Sequence, residues 1–242
     1  MPGKSHALII VGLLAATSYA PAVQTDFLVL ADDWESDRVS GHPAAKFRLD
    51  AGEYTYSYDW PPLRPLVANA SREIRQETTY AGLKGLTWRE TAGRPCKIWV
   101  HSAALNAVYP TSSTQVKRQP EDKARSICNG IAGNEKRARF GDGTDLFVRG
   151  VAVCTSDKKK SGDERLTGIR IYAAEVKPGG TVAALDVDRE DMDADCRQWH
   201  APVHCPAGYI VSGLQVHHRD HYFTGLGIKC RRVIVASTPF RQ

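Results

Sequence analysis

Along the second two thirds of the chain, apolar residues recur in a six-residue phrase: apolar, polar, glycine, apolar, any, apolar. It occurs as LKGLTW (Leu83 to Trp88), VRGVAV (Val148 to Val153), LTGIRI (Leu166 to Ile171), VSGLQV (Val211 to Val216) and FTGLGI (Phe223 to Ile228). A degenerate copy, PCKIWV from Pro95 to Val100, has Lys97 where the others have glycine. A repeat of this kind announces the architecture before any local assignment is made. The phrases fall in pairs joined by the polar connections RETAGR, CTSDKKKSGDER and HHRDHY. Apolar alternation bounded by polar clusters predicts antiparallel strands joined in hairpins, so three hairpin-centred units are expected, at 80–110, 128–176 and 196–235. In the last unit a tight turn at Arg219-Asp220 would set Gly213 opposite Leu226 and Leu214 opposite Gly225. A glycine held at one offset in every strand implies a bulge, a bend or the close approach of another backbone. Only Ser71 to Thr79 and Gln119 to Ile127 read as short helices, and the fold class is all β.

The N-terminal third lacks the phrase. Residues 1–22 read as a secretory signal: Lys4, an apolar run from Ala7 to Ala16, and Ala20-Pro21-Ala22 as the small-residue cleavage site. That run is about half the length of a bilayer-spanning helix, and no later stretch of the chain is apolar enough to cross a membrane. Residues 23–80 form an N-terminal β segment assigned to the first sheet, and 81–242 form the repeat-containing domain. In the former, Tyr54, Tyr56 and Tyr58 alternate along a strand that ends at Trp60-Pro61-Pro62. Six cysteines, Cys96, Cys128, Cys154, Cys196, Cys205 and Cys230, are an even number in an exported chain and point to up to three disulfides. Cys205 precedes one strand of the last hairpin and Cys230 lies on the other, near the same end, which favours their pairing. Asn69-Ala70-Ser71 is an N-glycosylation sequon.

Charge narrows the partners. The formal net charge of +5 becomes +4 when Lys4 leaves with the signal. The basic clusters Lys158-Lys159-Lys160 and Arg231-Arg232 are too short to make a nucleic-acid footprint. Histidines gather as His200, His204, His217, His218 and His221. Pro202 breaks any helix that would present His200 and His204 together, and His218, Asp220 and His221 read first as a solvated turn and second as a metal site. The acidic stretch Asp186 to Asp195 fits neither frame of an EF-hand loop and reads as a solvated connection between units two and three. No nucleotide, phosphate or hydrolase motif is present and no cofactor is implied. Glu53, Asp59, Asp163 and Glu164 are nominal carboxylates for glycoside chemistry.

Two stretches carry a resemblance. GDERLTGIRI (Gly162 to Ile171) resembles the repeated phrase of vitelline membrane outer layer protein I, and WHAPVHCPAG (Trp199 to Gly208) resembles the tryptophan and Cys-Pro-x-Gly at the entry to that family's strand pairs. The resemblance implies a β-prism: three antiparallel sheets with pseudo-threefold repeats, stapled by disulfides. On such a scaffold, aromatic and polar loops would hold sugars. The candidate ligand-binding residues are Trp199, His200, His218, Arg219, Asp220, His221 and Tyr222, together with Tyr56, Tyr58 and Trp60. The expected role is a secreted, lectin-like carbohydrate-binding protein with a glycan or extracellular matrix component as partner. An extracellular coat protein, an enzyme acting on amino-sugar polymers and a secreted toxin component are the alternatives.

Overall fold

The computed structural model describes residues 26–60, 73–105, 114–118, 120–129, 133–156 and 164–237. The signal segment 1–22, the sequon at Asn69, the 158–160 lysines and Asp163 lie outside this set. The fold is an all-β prism. Three sheets, each centred on one hairpin, close around a common core, and all their strand pairs are antiparallel. The first sheet is built on β6 (Gly82–Thr91) and β7 (Arg94–Ala103), flanked by β10 (Glu135–Arg139) and β9 (Lys123–Ser126). The second is built on β11 (Leu146–Thr155) and β12 (Leu166–Val176); β13 (Val182–Met192) lies outside β12, and the short β14 (Gln198–Trp199) and β15 (Val203–His204) lie on β11. The third is built on β16 (Tyr209–Arg219) and β17 (Tyr222–Ser237), with β1 (Asp26–Glu35) and β2 (Ser40–Gly41) on β17 and β3 (Ala45–Asp50) on β16. A separate three-stranded sheet has β4 (Glu53–Trp60) between β5 (Glu73–Tyr80) and β8 (Thr114–Arg118).

The repeated phrase explains the core. Its three apolar positions, such as Leu83, Leu86 and Trp88 in β6 or Val211, Leu214 and Val216 in β16, all join one buried cluster in every copy. A regular strand could not do this, because positions one and four have opposite parity and would face opposite sides. The pairing slips by one residue at the second position of each phrase: Lys84, Arg149, Thr167, Ser212 and Thr224 have no partner in the hairpin ladder. Each is a β-bulge, and the extra residue returns the next apolar side chain to the core. The polar side chain at the bulge then donates to backbone carbonyls: Lys84 Nζ to Thr144 O at 2.9 Å, Arg149 Nε to Ala173 O at 3.0 Å, and Thr224 Oγ1 to His42 O at 2.9 Å. The glycine that follows admits the flanking strand. A Cβ on Gly85 would lie 2.5 Å from Ala138 O of β10, and one on Gly150 would lie 2.7 Å from Val203 O of β15.

Several expectations are corrected. The β1 to β3 strands belong to the third sheet, not the first, whose edges are already occupied by β9 and β10; the third hairpin's edges are the ones that need covering. Residues 73–80 form β5, paired with β4 along its length, and 123–126 form β9, so the short-helix readings fail where long-range pairing overrides local propensity. The acidic stretch after Asp186 is mostly strand β13, whose Glu190 lies opposite Arg170. In the last hairpin the turn is Asp220-His221, with Asp220 left-handed at φ 45°. That turn and its two bulges set Gly213 opposite Lys229, Leu214 opposite Ile228 and Gly225 opposite His217. The disulfides are Cys96–Cys128, Cys154–Cys196 and Cys205–Cys230, one staple for each sheet.

Candidate functional site

Where β3 crosses to β4, Ala51 N donates to Ser212 O at 2.8 Å and Ala81 N to Gly52 O at 3.0 Å, which pins the three-stranded sheet against the third sheet. Gly52 makes this corner with a left-handed φ of 83°. The angle between the two sheets is a groove of about 640 Å³. One wall carries Glu53 and Thr55 of β4 and Thr78 and Tyr80 of β5; the other carries Asp50, Ser212, Lys229 and Arg231; Glu121 and Lys123 close one side.

The groove is polar, with charges of both signs. Arg231 Nη2 lies 2.8 Å from Asp33 Oδ1, and Lys229 Nζ lies 3.5 Å from Asp33 and 3.8 Å from Asp50. The carboxylates Asp33 and Asp50 face solvent, whereas the Arg231 side chain is only 10% exposed and Lys229 23%, so the cations are held against the sheet while their partners stay accessible. The Arg231 guanidinium lies 3.3 Å from the centroid of the Tyr80 ring, which is 38% exposed. Thr55 and Thr78 hydroxyls are 3.1 Å apart across the β4 and β5 pair. Carboxylates, amines, hydroxyls and one aromatic ring converge on a concave surface, an arrangement that can hydrogen-bond a ligand bearing many hydroxyls.

The sequence-derived residues of the second and third hairpins lie elsewhere. Trp199 sits on edge strand β14 opposite Cys154, with the Arg170 guanidinium 4.4 Å from its ring centroid; Arg170 Nε in turn bonds Glu190 at 2.6 Å. His200 Nε2 meets Thr155 Oγ1 at 2.7 Å, and the His42 ring packs edge-on to it at 4.9 Å. Burial, then the His42 charge, lowers the His200 pKa. At the third hairpin tip Arg219, Asp220 and His221 are exposed, and His221 Nε2 is 2.9 Å from Asn129 Nδ2. His218 is half-buried beside the Phe47 ring, and Tyr222 is buried with Arg94 of the first hairpin's tip 5.5 Å from its ring. Glu164, at the second hairpin's connection, reaches His42 at 3.0 Å. The first and third tips and the described end of the second hairpin therefore gather at one end of the prism. Lys229 lies beside Gly213, six residues back along β16 from Arg219, or roughly 20 Å at strand rise. Tyr56, Tyr58 and Trp60 lie on β4 opposite Glu77, Arg75 and Glu73; their side chains are outside the described set.

The residues that line the groove were missed because they are drawn from six strands and two connections. The available signals were Glu53, already a nominal carboxylate, and Arg231, read only as part of a short basic pair.

No family model matches the chain, and no curated protein matches it in sequence. Solved structures that resemble it include an agglutinin from Calystegia sepium, at 10% identity over 87% of this chain and 99% of that one, with a TM-score of 0.40. A mannose-specific jacalin-related lectin from Morus nigra in complex with mannose is 9% identical over 89% and 99%, with a TM-score of 0.40. Calsepa lectin in complex with a biantennary N-glycan is 9% identical over 87% and 99%, with a TM-score of 0.39. The prism is defined here by its own three sheets.

Proposed function

We propose that the protein is a secreted, lectin-like carbohydrate-binding protein that holds its glycan in the groove between the three-stranded sheet and the third sheet. The observation that carries this reading is the concave meeting of Glu53, Thr78, Tyr80, Lys229 and Arg231, which sets carboxylate, hydroxyl, aromatic and cationic groups along one surface. The three disulfides support an oxidising, extracellular setting.

A glycan array with the wild-type protein, Tyr80→Ala, Glu53→Gln and Trp199→Ala tests it. Tyr80 and Glu53 are exposed, so their variants keep the fold. Binding by wild type and Trp199→Ala, weakened about tenfold or more in the groove variants, a loss of about 1.4 kcal/mol, is the expected result. A flat array overturns carbohydrate binding, and a loss confined to Trp199→Ala moves the site to the end where the hairpin tips gather.

A further inference from the structure

The outer face of the first sheet holds an arrangement that the groove does not use. With Leu86, Trp88, Ile98 and Val100 turned to the core, Gly85, Thr87 and Arg89 of β6 and Lys97, Trp99 and His101 of β7 take the opposite face. Register sets Gly85 beside His101 and Thr87 beside Trp99. Thr87 Oγ1 is 2.7 Å from His101 Nε2, and His101 Nδ1 is 2.7 Å from Asp122 Oδ2. In the neutral ring, the proton on Nδ1 is donated to the carboxylate, which leaves Nε2 to accept from the Thr87 hydroxyl. Hydroxyl, imidazole and orienting carboxylate in this order are the groups that convert an alcohol into a nucleophile.

The surroundings support a reactive role. Asp122 is fixed by a second contact, Ser102 N to Oδ1 at 3.3 Å, while its side chain stays 46% exposed. Thr87 is 5% exposed and His101 8%, so the pair is largely desolvated. Arg139 of β10 packs directly against Gly85, where an added Cβ would meet the Arg139 Cα at 2.5 Å. One end of its guanidinium is tied to Asp142, and its buried Nε has no acceptor among the described residues. Arg139 thus lies on the neighbouring strand, paired with Gly85, while Arg137 is the β10 residue opposite Thr87.

We propose that Thr87, His101 and Asp122 form a nucleophilic relay that accepts the acyl group of a small carboxylic ester. Thr87 Oγ bonds to the carbonyl carbon as its proton passes to His101 Nε2. The tetrahedral adduct collapses with cleavage of the ester C–O bond, and the alcohol leaves carrying that proton. Water, deprotonated by the same nitrogen, then attacks the acyl-threonine; carboxylic acid is released and the proton returns to Thr87. His101 and Thr87 act on the reacting atoms, and Asp122 is a positioning residue. The low exposure of Thr87 restricts the acyl group to a short one. The relay uses none of the residues that line the groove, although Asp122 lies between Glu121 and Lys123 at its side.

The test is p-nitrophenyl acetate hydrolysis by the full chain, with peptide mass spectrometry after acid quench. Expected are p-nitrophenol release and an acetyl group on the peptide that contains Thr87, both lost in the near-isosteric Thr87→Val. Asp122→Asn should slow acylation by about 10²–10⁴-fold and change the pH–rate profile, which a merely structural carboxylate would leave unmoved. If Thr87→Val does not fold, labelling of the wild type by a fluorophosphonate, located by mass spectrometry, replaces it. Equal release by wild type and Thr87→Val, acetylation confined to lysines, or a fluorophosphonate adduct absent from Thr87 overturns the proposal.

Discussion

Glu90 lies on β6 just before the first hairpin's turn, 4% exposed, and its carboxyl shares a hydrogen bond with Asp193. Asp193 is also 2.6 Å from Lys136 Nζ, and Arg165 Nη2 is 2.6 Å from Asp195 alongside. Burial, then the bond to Asp193 and its negative charge, push the Glu90 pKa up to about 8 against the pull of Lys136. Burial would raise Asp193 too, but its bonds to Glu90 and Lys136 keep it below the usual carboxylate range. At neutral pH the pair therefore holds one proton, on Glu90. The native chain keeps that proton where the unfolded chain, with an ordinary value of 4.5, has lost it. Stability from this group is full below 4.5 and is lost as pH rises to about 8. At about 1.4 kcal/mol per pH unit, the bound is about 5 kcal/mol, less whatever the coupling to Asp193 absorbs. Glu90→Gln keeps the size and the donor but cannot titrate. Urea unfolding of both chains from about pH 5 to about pH 9 should show wild type losing several kcal/mol relative to the variant. His200, His204 and His217, lowered chiefly by burial, oppose this slope below the ordinary histidine value of 6.5, and Lys84, lowered by burial to about 8, opposes it above pH 8. Both effects are common to the two chains and cancel in the difference. Parallel stability curves for wild type and Glu90→Gln would refute the shared-proton account.

Two further outcomes are expected. Replacing Cys205 and Cys230 by serine opens a staple that spans 25 residues, and urea unfolding should show a loss of about 3.5 kcal/mol by loop entropy; an unchanged midpoint would mean that this bridge constrains nothing. Gly41 has φ of 96°, and a Cβ there would lie 2.5 Å from Thr224 O and 2.7 Å from Val153 Cγ2. Gly41→Ala should therefore cost about 2 kcal/mol or more, with early hydrogen exchange at Val153 N, which now donates to Ser40 Oγ at 2.9 Å.

The sequence by itself determined the three hairpins and the apolar positions that the repeated phrase gives to the core. The apolar phrase records burial, and burial of positions one, four and six demands a bulge that its glycine already hinted at. The Cys205–Cys230 pairing was also legible, because both cysteines flank one hairpin. Register was not: the last turn lies one residue later than expected, and the bulges shift every pairing beyond it. Nor were the outer strands, since SREIRQETT carries no mark of the partner that makes it a strand; β4 and its hydrogen bonds supply that. The proposed sites divide in the same way. The local cluster His218 to Tyr222 was visible in the sequence and already read there as a hairpin turn, whereas Tyr80 and Arg231, or Thr87 and Asp122, meet only after distant strands pair. Periodicity encodes which side of a strand is buried, and that is local. Which polar side chains come within hydrogen-bond reach depends on which strand lies beside which, and only the packing of the whole prism decides that.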